Sequence, residues 1–436
     1  MIPHGMVVVG GALAAAALAN AAPEPAGGNH PTFNVDYVVR ISRRDPGVAH
    51  VRWLLAGIDE IRSFRLVFRD DRTSDVTGTG TLIWQGRTLT WTPGGPYAHL
   101  GYRVAIPRVR SSGPRFDSWA TRDWVATRAL HLFPEINVSF HEGTRAASAR
   151  ARLVFRLPRG WRSAAAQAPL GEGIFAVEEP GKQFARPRGW FLLGDIGRHR
   201  RRIAGMDVTV AQAPGSALDA RRLLRLYQHT VPLLAEILGP PPARLLIVSA
   251  PDPMWRGGLS GEDSFFVNGR IPIRSADKTS SYLHELFHVW QPFRPASDGR
   301  WISEGLAEYY SLALPYRAGR LSERSFARGV SLFARYGRWG IDLSHTREPA
   351  ALNNSAPFLM YWLDQEIRVA TEGRRTLDDV VRTLGRERRP LTTASFLRVV
   401  GRTAGRDFSA RFGRYVFRGE RPAVALPGEA LPSGRH

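Results

Sequence analysis

The fold of this chain is decided by the stretch Ser281-Tyr282-Leu283-His284-Glu285-Leu286-Phe287-His288-Val289-Trp290. It contains the pattern H-E-x-x-H. On a helix, His284 and His288 lie one turn apart and point in the same direction. Two neutral imidazoles at this spacing can bind one zinc ion, and Glu285 can reach a water molecule on that ion. The stretch therefore predicts a zinc site with a general base beside it.

The same stretch has the periodicity of a helix. Leu283, Phe287 and Trp290 recur at i, i+4 and i+7, which predicts a buried apolar stripe beside the histidines. Pro292 disfavours continuation, so we expect the helix to end near Gln291. Residues that commonly cap a helix precede it, and the sequence does not choose among them: Ser275, Asp277, Thr279 and Ser280. Because short motifs also occur by chance, the surrounding sequence has to support the interpretation.

A third zinc ligand is expected, since catalytic zinc has three protein ligands and a water. Candidates occur in the run Trp301-Ile302-Ser303-Glu304-Gly305-Leu306-Ala307-Glu308-Tyr309-Tyr310. Glu304 lies 16 residues beyond His288, and a returning helix can bring it to the metal. Glu308, one turn further on the same face, can instead be the ligand or can hold a ligand histidine from behind. A solvated acidic face is the alternative for both.

Together these runs resemble the gluzincin metallopeptidases, most closely the glycyl-aminopeptidase-like family. In that family the third ligand is the Glu of a W-x-x-E-G-x-x-x-Y-Y run, which Trp301 to Tyr310 match. The resemblance implies Glu304 as the third ligand, one zinc per chain and a peptide or protein substrate. It covers most of the mature chain, with its specific motifs around the zinc. Family members often carry a C-terminal PDZ-like domain, which we expect this chain to lack.

The resemblance also implies a mechanism, with one departure. Glu285 would accept a proton from the zinc-bound water and pass it to the leaving amine. The family places a Tyr before a Lys-Gly pair to stabilise the oxyanion, and that position falls near Asn353. Ser355 and Ala356 stand where the pair is expected, so the family Tyr is missing here. Four other tyrosines are candidates to replace it, the first two being the main ones: Tyr309, Tyr310, Tyr336 and Tyr361.

A second departure concerns the substrate's amine. The family's G-G-L-E-H strand uses its Glu to hold a free N-terminus, and the corresponding run here is Gly257-Gly258-Leu259-Ser260-Gly261-Glu262-Asp263. The resemblance implies that Gly257, Gly258 and Leu259 contact the substrate. Ser260 occupies the Glu position, and Glu262 or Asp263 would have to replace it. Aminopeptidase and endopeptidase specificity therefore both stay open.

The net charge of +21 does not indicate a nucleic-acid partner. The cations are nearly all arginine, with only Lys182 and Lys278 as lysines, which points to compositional bias. No basic motif with interleaved aromatic residues is present. The densest cluster, Arg198-His199-Arg200-Arg201-Arg202, is typical of a solvated turn, with an anion or membrane-surface patch as the alternative. We predict no specific binding of nucleic acid.

The 436 residues predict an α+β protein of several domains. Alternating runs such as Phe33 to Val39, and a hairpin around Gln85-Gly86-Arg87, predict a β-sandwich-like N-terminal domain over 32–210. A gluzincin (thermolysin-like) zinc catalytic domain is expected over 211–320, a helical domain over 321–420 and a tail over 421–436. In the catalytic domain, helical spacing runs from Ala217 to Leu238. Asn268-Gly269 predicts a hairpin between strands at 265–267 and 270–273, the second being an edge strand.

The N-terminus indicates export. Met6 to Leu18 is an apolar run followed by Ala19-Asn20-Ala21, a small-x-small site, so 1–21 is predicted to be a signal peptide and 22–31 a flexible leader. The run is too short to span a bilayer, and we expect no transmembrane helix in the mature protein. The absence of cysteine excludes disulfides and lipid-anchored cysteine. We expect a secreted or periplasmic protein; the sequence does not indicate its oligomeric state.

Two functions fit these observations. The first is a zinc-dependent peptidase that hydrolyses peptide bonds with a zinc-bound water and a Glu general base. The second is a zinc-binding protein that kept the fold and lost catalysis, acting as a peptide-binding or envelope-interaction module. The missing Tyr and Glu favour the second, whereas the intact Glu285 favours the first, because zinc binding alone does not need that carboxylate.

Overall fold

The computed structural model describes residues 32–111, 113–142, 148–179, 182, 184–387 and 389–426. The predicted signal peptide and leader, and residues 427–436 of the predicted tail, lie outside the described residues. The chain forms two compact units. The first contains the described residues as far as Arg198, with Ala211–Gly215 and Ala250–Trp255; the second contains His199–Val210, Ser216–Ser249 and the described residues from Arg256 onward.

The first unit is built mainly from β-strands. In chain order these are β1 (Thr32–Ile41), β2 (Val48–Ala56), β3 (Ile61–Val67), β4 (Thr73–Gly78), β5 (Thr81–Gln85), β6 (Thr88–Thr92), β7 (Tyr97–Ala105), β8 (Arg108–Val109), β9 (Phe116–Ala120), β10 (Trp124–Arg128), the short helix α1 (Ala129–Leu132), β11 (Glu135–Phe140), β12 (Ser148–Arg156), β13 (Arg162–Ala165), β14 (Ala168–Gly171), β15 (Ile174–Val177) and β16 (Trp190–Gly194). Within the described residues they form sheets with the orders β14-β15-β12-β1-β2-β7-β4, β13-β16-β10-β9-β8 and β11-β3-β6-β5.

The alternation read from the sequence places the core of this unit. In β1 every second side chain is buried, including Tyr37, which lies opposite Trp53 of β2. β1 pairs antiparallel with β2 and parallel with β12. The hairpin predicted around Gln85-Gly86-Arg87 is confirmed, since β5 and β6 pair across it and Gly86 has φ +59°, a value that glycine adopts easily.

The second unit combines most of a fourth sheet with helices. The strands are β17 (Gly197–Ile203), β18 (Met206–Gln212), β19 (Arg244–Ala250), β20 (Gly258–Gly261) and β21 (Ser264–Asn268), in the order β17-β18-β19-β21-β20. The helices are α2 (Ala220–Leu238), α3 (Ser281–Trp290), α4 (Arg300–Arg317), α5 (Glu323–Tyr336), α6 (Ala356–Ala370), α7 (Leu377–Arg386), α8 (Thr393–Ala404) and α9 (Ser409–Phe412), with a 3₁₀ turn at Ser297–Gly299 and π-helical turns at Ala351–Ser355 and Gly413–Phe417.

The α+β class is confirmed, with β-rich sheets first and helices after them. The two clearest helical stretches of the sequence, 358–368 and 377–384, fall within α6 and α7. One hydrophobic cluster joins the fourth sheet to α2 to α9. Within the described residues, no helix is both long enough and apolar enough to cross a membrane.

The predicted hairpin around Asn268-Gly269 is wrong. The strand before it, β21, pairs instead with β20, and the turn between those strands is Glu262-Asp263, with Asp263 at φ +47°. A two-residue hairpin turn of the Asn-Gly kind needs positive φ at both positions, and Gly269 does not adopt it. Tertiary contacts hold Gly269 instead: its carbonyl accepts from the backbone of Ala217 at 3.1 Å. The chain beyond Gly269 therefore leaves the sheet.

Candidate metal centre

Helix α3 begins after Ser280, one of the four capping candidates, and ends at Trp290, next to the predicted end at Gln291. The carbonyl of Ser280 accepts from the backbone N–H groups of Leu283 and His284, both at 3.0 Å. The N–H of Gln291 donates to Phe287 at 2.8 Å and closes the last turn. The predicted stripe is buried, with Leu283 at 1%, Phe287 at 0% and Trp290 at 7% exposure. This stripe packs into the core, and α3 contacts β20, β21 and α4.

Helix α4 is held so that its acidic face meets α3. Trp301 is 1% exposed and its Nε1 donates to Thr393 Oγ1 at 3.0 Å. Gly305 lets α6 approach closely, because a Cβ there would lie 3.0 Å from the Cβ of Ala356. With one side fixed in this way, α4 turns Glu304 and its neighbour one turn on towards the histidines.

Three side chains form a group that could hold a metal ion, namely His284, His288 and Glu304. The two Nε2 atoms lie 3.0 Å apart, and each lies 3.4 Å from Oε2 of Glu304. A tetrahedral zinc with bonds of about 2.0–2.1 Å separates its ligand atoms by about 3.4 Å. The donor set of two imidazoles and one carboxylate and its spacing therefore both fit zinc.

Polar partners support both histidines from behind. Nδ1 of His284 lies 2.7 Å from Oε2 of Glu308. Nδ1 of His288 lies 3.4 Å from the hydroxyl of Ser303, which donates to Oε1 of Gln291 at 2.9 Å. Such contacts orient ligand imidazoles in metal sites. The structure thus places Glu304 at both Nε2 atoms and Glu308 behind His284.

The electrostatics of the group favour a cation. Burial raises the pKa of Glu285, although His284 and His288 oppose this shift. Burial would also raise the pKa of Glu304, but its contacts with the same two histidines lower it well below its usual range. For His284, burial favours the neutral ring, yet Glu304 and Glu308 raise its pKa well above its usual value. Three carboxylates around two imidazoles make a site that attracts positive charge.

Glu285 lies on a different face of α3, against strand β20, and is only 7% exposed. A Cβ on Gly258 would lie 2.2 Å from Oε1 of Glu285 and 2.5 Å from its Cγ. Glycine at this position therefore allows the carboxylate to lie directly on the strand. The neighbouring residues form the hairpin: the carbonyl of Gly257 accepts from Asn268 at 3.1 Å, and Leu259 pairs with Phe266.

Tyr309 and Tyr310, the main candidates for the oxyanion donor, each have a carboxylate partner. Tyr309 is 2% exposed and its hydroxyl donates to Asp364 at 3.2 Å. Tyr310 is fully buried and donates to Asp378 at 2.8 Å. Both hydroxyls therefore have carboxylate partners outside the metal-binding group. Of the two lesser candidates, Tyr361 donates to the carbonyl of Ala425, and Tyr336 is exposed outside the cavity described next.

An open cavity of about 550 Å³ adjoins the metal-binding group. His288 and Glu304 line one side, and Ser260 of β20 also reaches it. Glu262, the predicted substitute for the family Glu, lies in the exposed β20–β21 turn and is not among the lining residues. The structure therefore brings Ser260, and not Glu262, to the cavity.

Sequence reasoning missed three further residues that line this cavity, Ser344, His345 and Arg347. Oδ2 of Asp342 lies 3.0 Å from Nδ1 of His345, and Oδ1 accepts from the Ser344 hydroxyl at 2.6 Å. The spacing Asp-x-Ser-His over 342–345 is not that of a common metal or catalytic motif. Only the folded chain shows that this pair lies beside the metal-binding group.

Comparison with solved structures shows the fold of this chain. An aminopeptidase N family protein from Idiomarina loihiensis matches with a TM-score of 0.69 at 14% identity, over 88% of this chain and 76% of that one. A mutant M1 zinc metallopeptidase from Deinococcus radiodurans, bound to a Tyr-Ser-Ala substrate, matches with a TM-score of 0.58 at 14% identity, over 92% and 96%. A two-domain M1 zinc metallopeptidase mutant bound to L-arginine matches with a TM-score of 0.59 at 14% identity, over 91% and 96%.

No family model matches the chain, and no curated protein matches it in sequence. At such low identity the structural likeness shows the fold alone. By description the first of these neighbours is an aminopeptidase N family protein and the other two are M1 zinc metallopeptidases, which agrees with the class that the sequence resembles.

Proposed function

We propose that this chain is a zinc-dependent peptidase in which Glu285 is the general base. One observation carries the proposal. Two of the three side chains that fit zinc lie on α3 together with Glu285, a buried carboxylate that the zinc does not need, and Glu285 lies against Gly258 of β20. A purely structural zinc site has no use for such a carboxylate.

In this proposal His284, His288 and Glu304 hold one zinc per chain. A zinc ion bound there would polarise a substrate carbonyl and lower the pKa of a bound water to about 7. Glu285 accepts the proton of the attacking water and returns it to the leaving amine. Glu308 and Ser303 keep the two imidazoles in the orientation that presents Nε2.

Strand β20 is the place where a peptide would bind. Among the described residues it is the last strand in the order of its sheet. An extended peptide can add to the edge strand of a sheet through main-chain hydrogen bonds. Because Gly258 of the same strand touches Glu285, a peptide bound there would lie close to the general base.

The negative charge that develops on the carbonyl oxygen needs a hydrogen-bond donor besides the metal. Tyr309 and Tyr310 donate to Asp364 and Asp378, so we assign this role to His345. Its Nδ1 is held by Asp342, while Nε2 is at the opposite end of a ring that lines the cavity. The Asp342 carboxylate fixes the orientation of the ring, and an imidazole donates through Nε2 whenever that nitrogen carries a proton.

The second candidate is a zinc-binding protein without catalysis. Ser260 in the cavity and the commitment of both tyrosines favour it, because two parts of the family's machinery are then missing. Export to the periplasm or the exterior belongs to either proposal and rests on the apolar run at Met6 to Leu18.

The replacement Glu285→Gln distinguishes the two functions. It keeps the shape of the side chain and removes the base, so zinc content should stay the same while peptide hydrolysis falls by at least about a hundredfold. Zinc would be measured by elemental analysis and hydrolysis with a broad peptide library. If the zinc-loaded wild type cuts nothing in that library, the peptidase proposal fails and the binding protein is left.

A further inference from the structure

The cavity beside the metal-binding group has an unusual balance of charge for a site that would hold an amine. Among its lining residues, all of which lie in the described part of the chain, Glu304 is the one carboxylate, and its Oε2 faces the two histidines. Two arginines line the same cavity, Arg300 and Arg347. Ser260 contributes a hydroxyl. A protonated amine entering here would meet guanidinium groups, which repel it.

The arginines are attached to fixed parts of the fold. Nε of Arg300 lies 3.8 Å from Oε1 of Glu304, one turn on in α4, and the Arg300 side chain is 51% exposed. Arg347 is exposed. The segment before it is held by two hydrogen bonds: the N–H of Leu343 donates to the carbonyl of Val416 at 2.9 Å, and the N–H of Ser344 donates to Oδ1 of Asp342 at 2.8 Å. Both guanidinium groups therefore start from defined positions on the cavity wall.

From this arrangement we propose that the cavity binds a carboxylate group of the substrate peptide. This inference rests on the proposed function and names its substrate class, which is anionic peptides. A guanidinium matches a carboxylate with paired N–H donors, and the contact is stronger than a neutral hydrogen bond. Arg300 contacts Glu304, which is one of the proposed zinc ligands. An extended peptide advances by about 3.5 Å per residue, so the carboxylate of the peptide would lie within about two residues of the bond that is cut.

An acidic side chain and a free C-terminus offer the same chemistry, so the test has an arm for each. The protein is the zinc-loaded full chain carrying Glu285→Gln, which binds without cutting. The first pair of peptides has one sequence with either a free or an amidated C-terminus. The second pair is amidated and has either Glu or Gln beside the scissile position. Calorimetry should give at least about fivefold tighter binding for the carboxylate member of one pair, and raised salt should reduce that preference.

Variants of the cavity identify its residues. Arg347→Gln should reduce the preference to about twofold or less, and zinc content should stay unchanged. The matched control is Arg335→Gln, an exposed arginine of α5 that contacts Tyr336 and does not line the cavity; it should keep the full preference. Ser260→Glu should act in the opposite direction and favour a free N-terminal amine over an acetylated one.

The results separate this inference from the proposed function. Equal binding of carboxylate and amide peptides, binding of neither, or an equal loss in Arg335→Gln would each overturn the inference. A carboxylate preference in a protein whose wild type cuts no peptide would support the inference and sink the peptidase proposal. Hydrolysis by the wild type without any such preference would leave the peptidase proposal intact and refute the anionic substrate class.

Discussion

Replacing Gly258 with alanine gives a direct test of how the general base is held. The added Cβ would lie 2.2 Å from Oε1, 2.5 Å from Cγ and 2.6 Å from Cδ of Glu285. Ordinary contacts between such atoms need about 3.5 Å, so the carboxylate must move by about 1 Å or more. The atoms in conflict belong to one flexible side chain and not to backbone. We therefore expect the fold to survive.

The expected losses are unequal. A misplacement of about 1 Å in a reacting group can lower the rate about a hundredfold, which is about 2.7 kcal/mol of transition-state stabilisation. Overpacking should lower the free energy of unfolding by only about 1–3 kcal/mol. Zinc content should not change, because the nearest atoms to the new Cβ belong to Glu285 and not to the three metal-binding side chains.

The assay compares kcat/KM, zinc content and the urea midpoint of Gly258→Ala with those of the wild type. Gly171→Ala is the matched control, since Gly171 also lies in a strand, has no positive φ and would place its Cβ in open space. It should keep normal activity. If Gly258→Ala retained kcat/KM within about twofold with a full complement of zinc, the position of Glu285 against β20 would not matter and its role as the base would lose its structural support.

Three further predictions concern zinc binding, His345 as the donor to the oxyanion, and the pH dependence of stability. Glu304→Ala should lose most of the bound zinc while Glu308→Ala keeps much of it, by elemental analysis, and equal zinc in the wild type and Glu304→Ala would contradict the ligand assignment. His345→Ala should lower kcat by about a hundredfold and leave KM nearly unchanged, because the proposed hydrogen bond forms only in the transition state. A purely structural role would not lower kcat alone. Burial and the surrounding arginines lower the pKa of His131 to about 2. The His131 ring therefore stays neutral in the folded protein, whereas in the unfolded chain it takes up a proton below about pH 6.5. His131 should therefore lower the free energy of unfolding by about 1.4 kcal/mol for each pH unit below 6.5. In His131→Gln the urea midpoint should fall less steeply as the pH is lowered. An unchanged dependence of the midpoint on pH would refute the lowered pKa of His131.

The parts of the fold that follow from local periodicity were predictable. The stripe of Leu283, Phe287 and Trp290 and the proline after Gln291 define α3 because they act within one helix. The hairpin around Asn268-Gly269 failed for the opposite reason. The Asn-Gly pair prefers a turn locally, but Gly269 accepts a hydrogen bond from Ala217, a residue distant in sequence. This tertiary contact outweighs the local turn preference.

The candidate site shows the same division. Glu304 and Glu308 lie one turn apart on one face of α4, so sequence spacing cannot say which of them reaches the Nε2 atoms; only the distance between α3 and α4 decides. Tyr310 lies within the motif run, yet its hydroxyl meets Asp378, which is 68 residues away. The Asp342–His345 pair is local, but its place beside the metal-binding group depends on tertiary structure.

The cavity shares His288 and Glu304 with the metal-binding group, and strand β20 adds Ser260 to it, so one part of the cavity wall can change without changing a metal ligand. Helices α3 and α4 supply the histidines, Glu304 and their supporting partners, whereas Ser260 belongs to strand β20. A Glu-to-Ser difference at that strand position changes the charge of the cavity and leaves the spacing of the zinc ligands untouched. A chain of this fold can therefore keep its zinc and its general base while it exchanges a substrate amine for a substrate carboxylate. For this reason zinc content cannot report on specificity, and binding of matched carboxylate and amide peptides can.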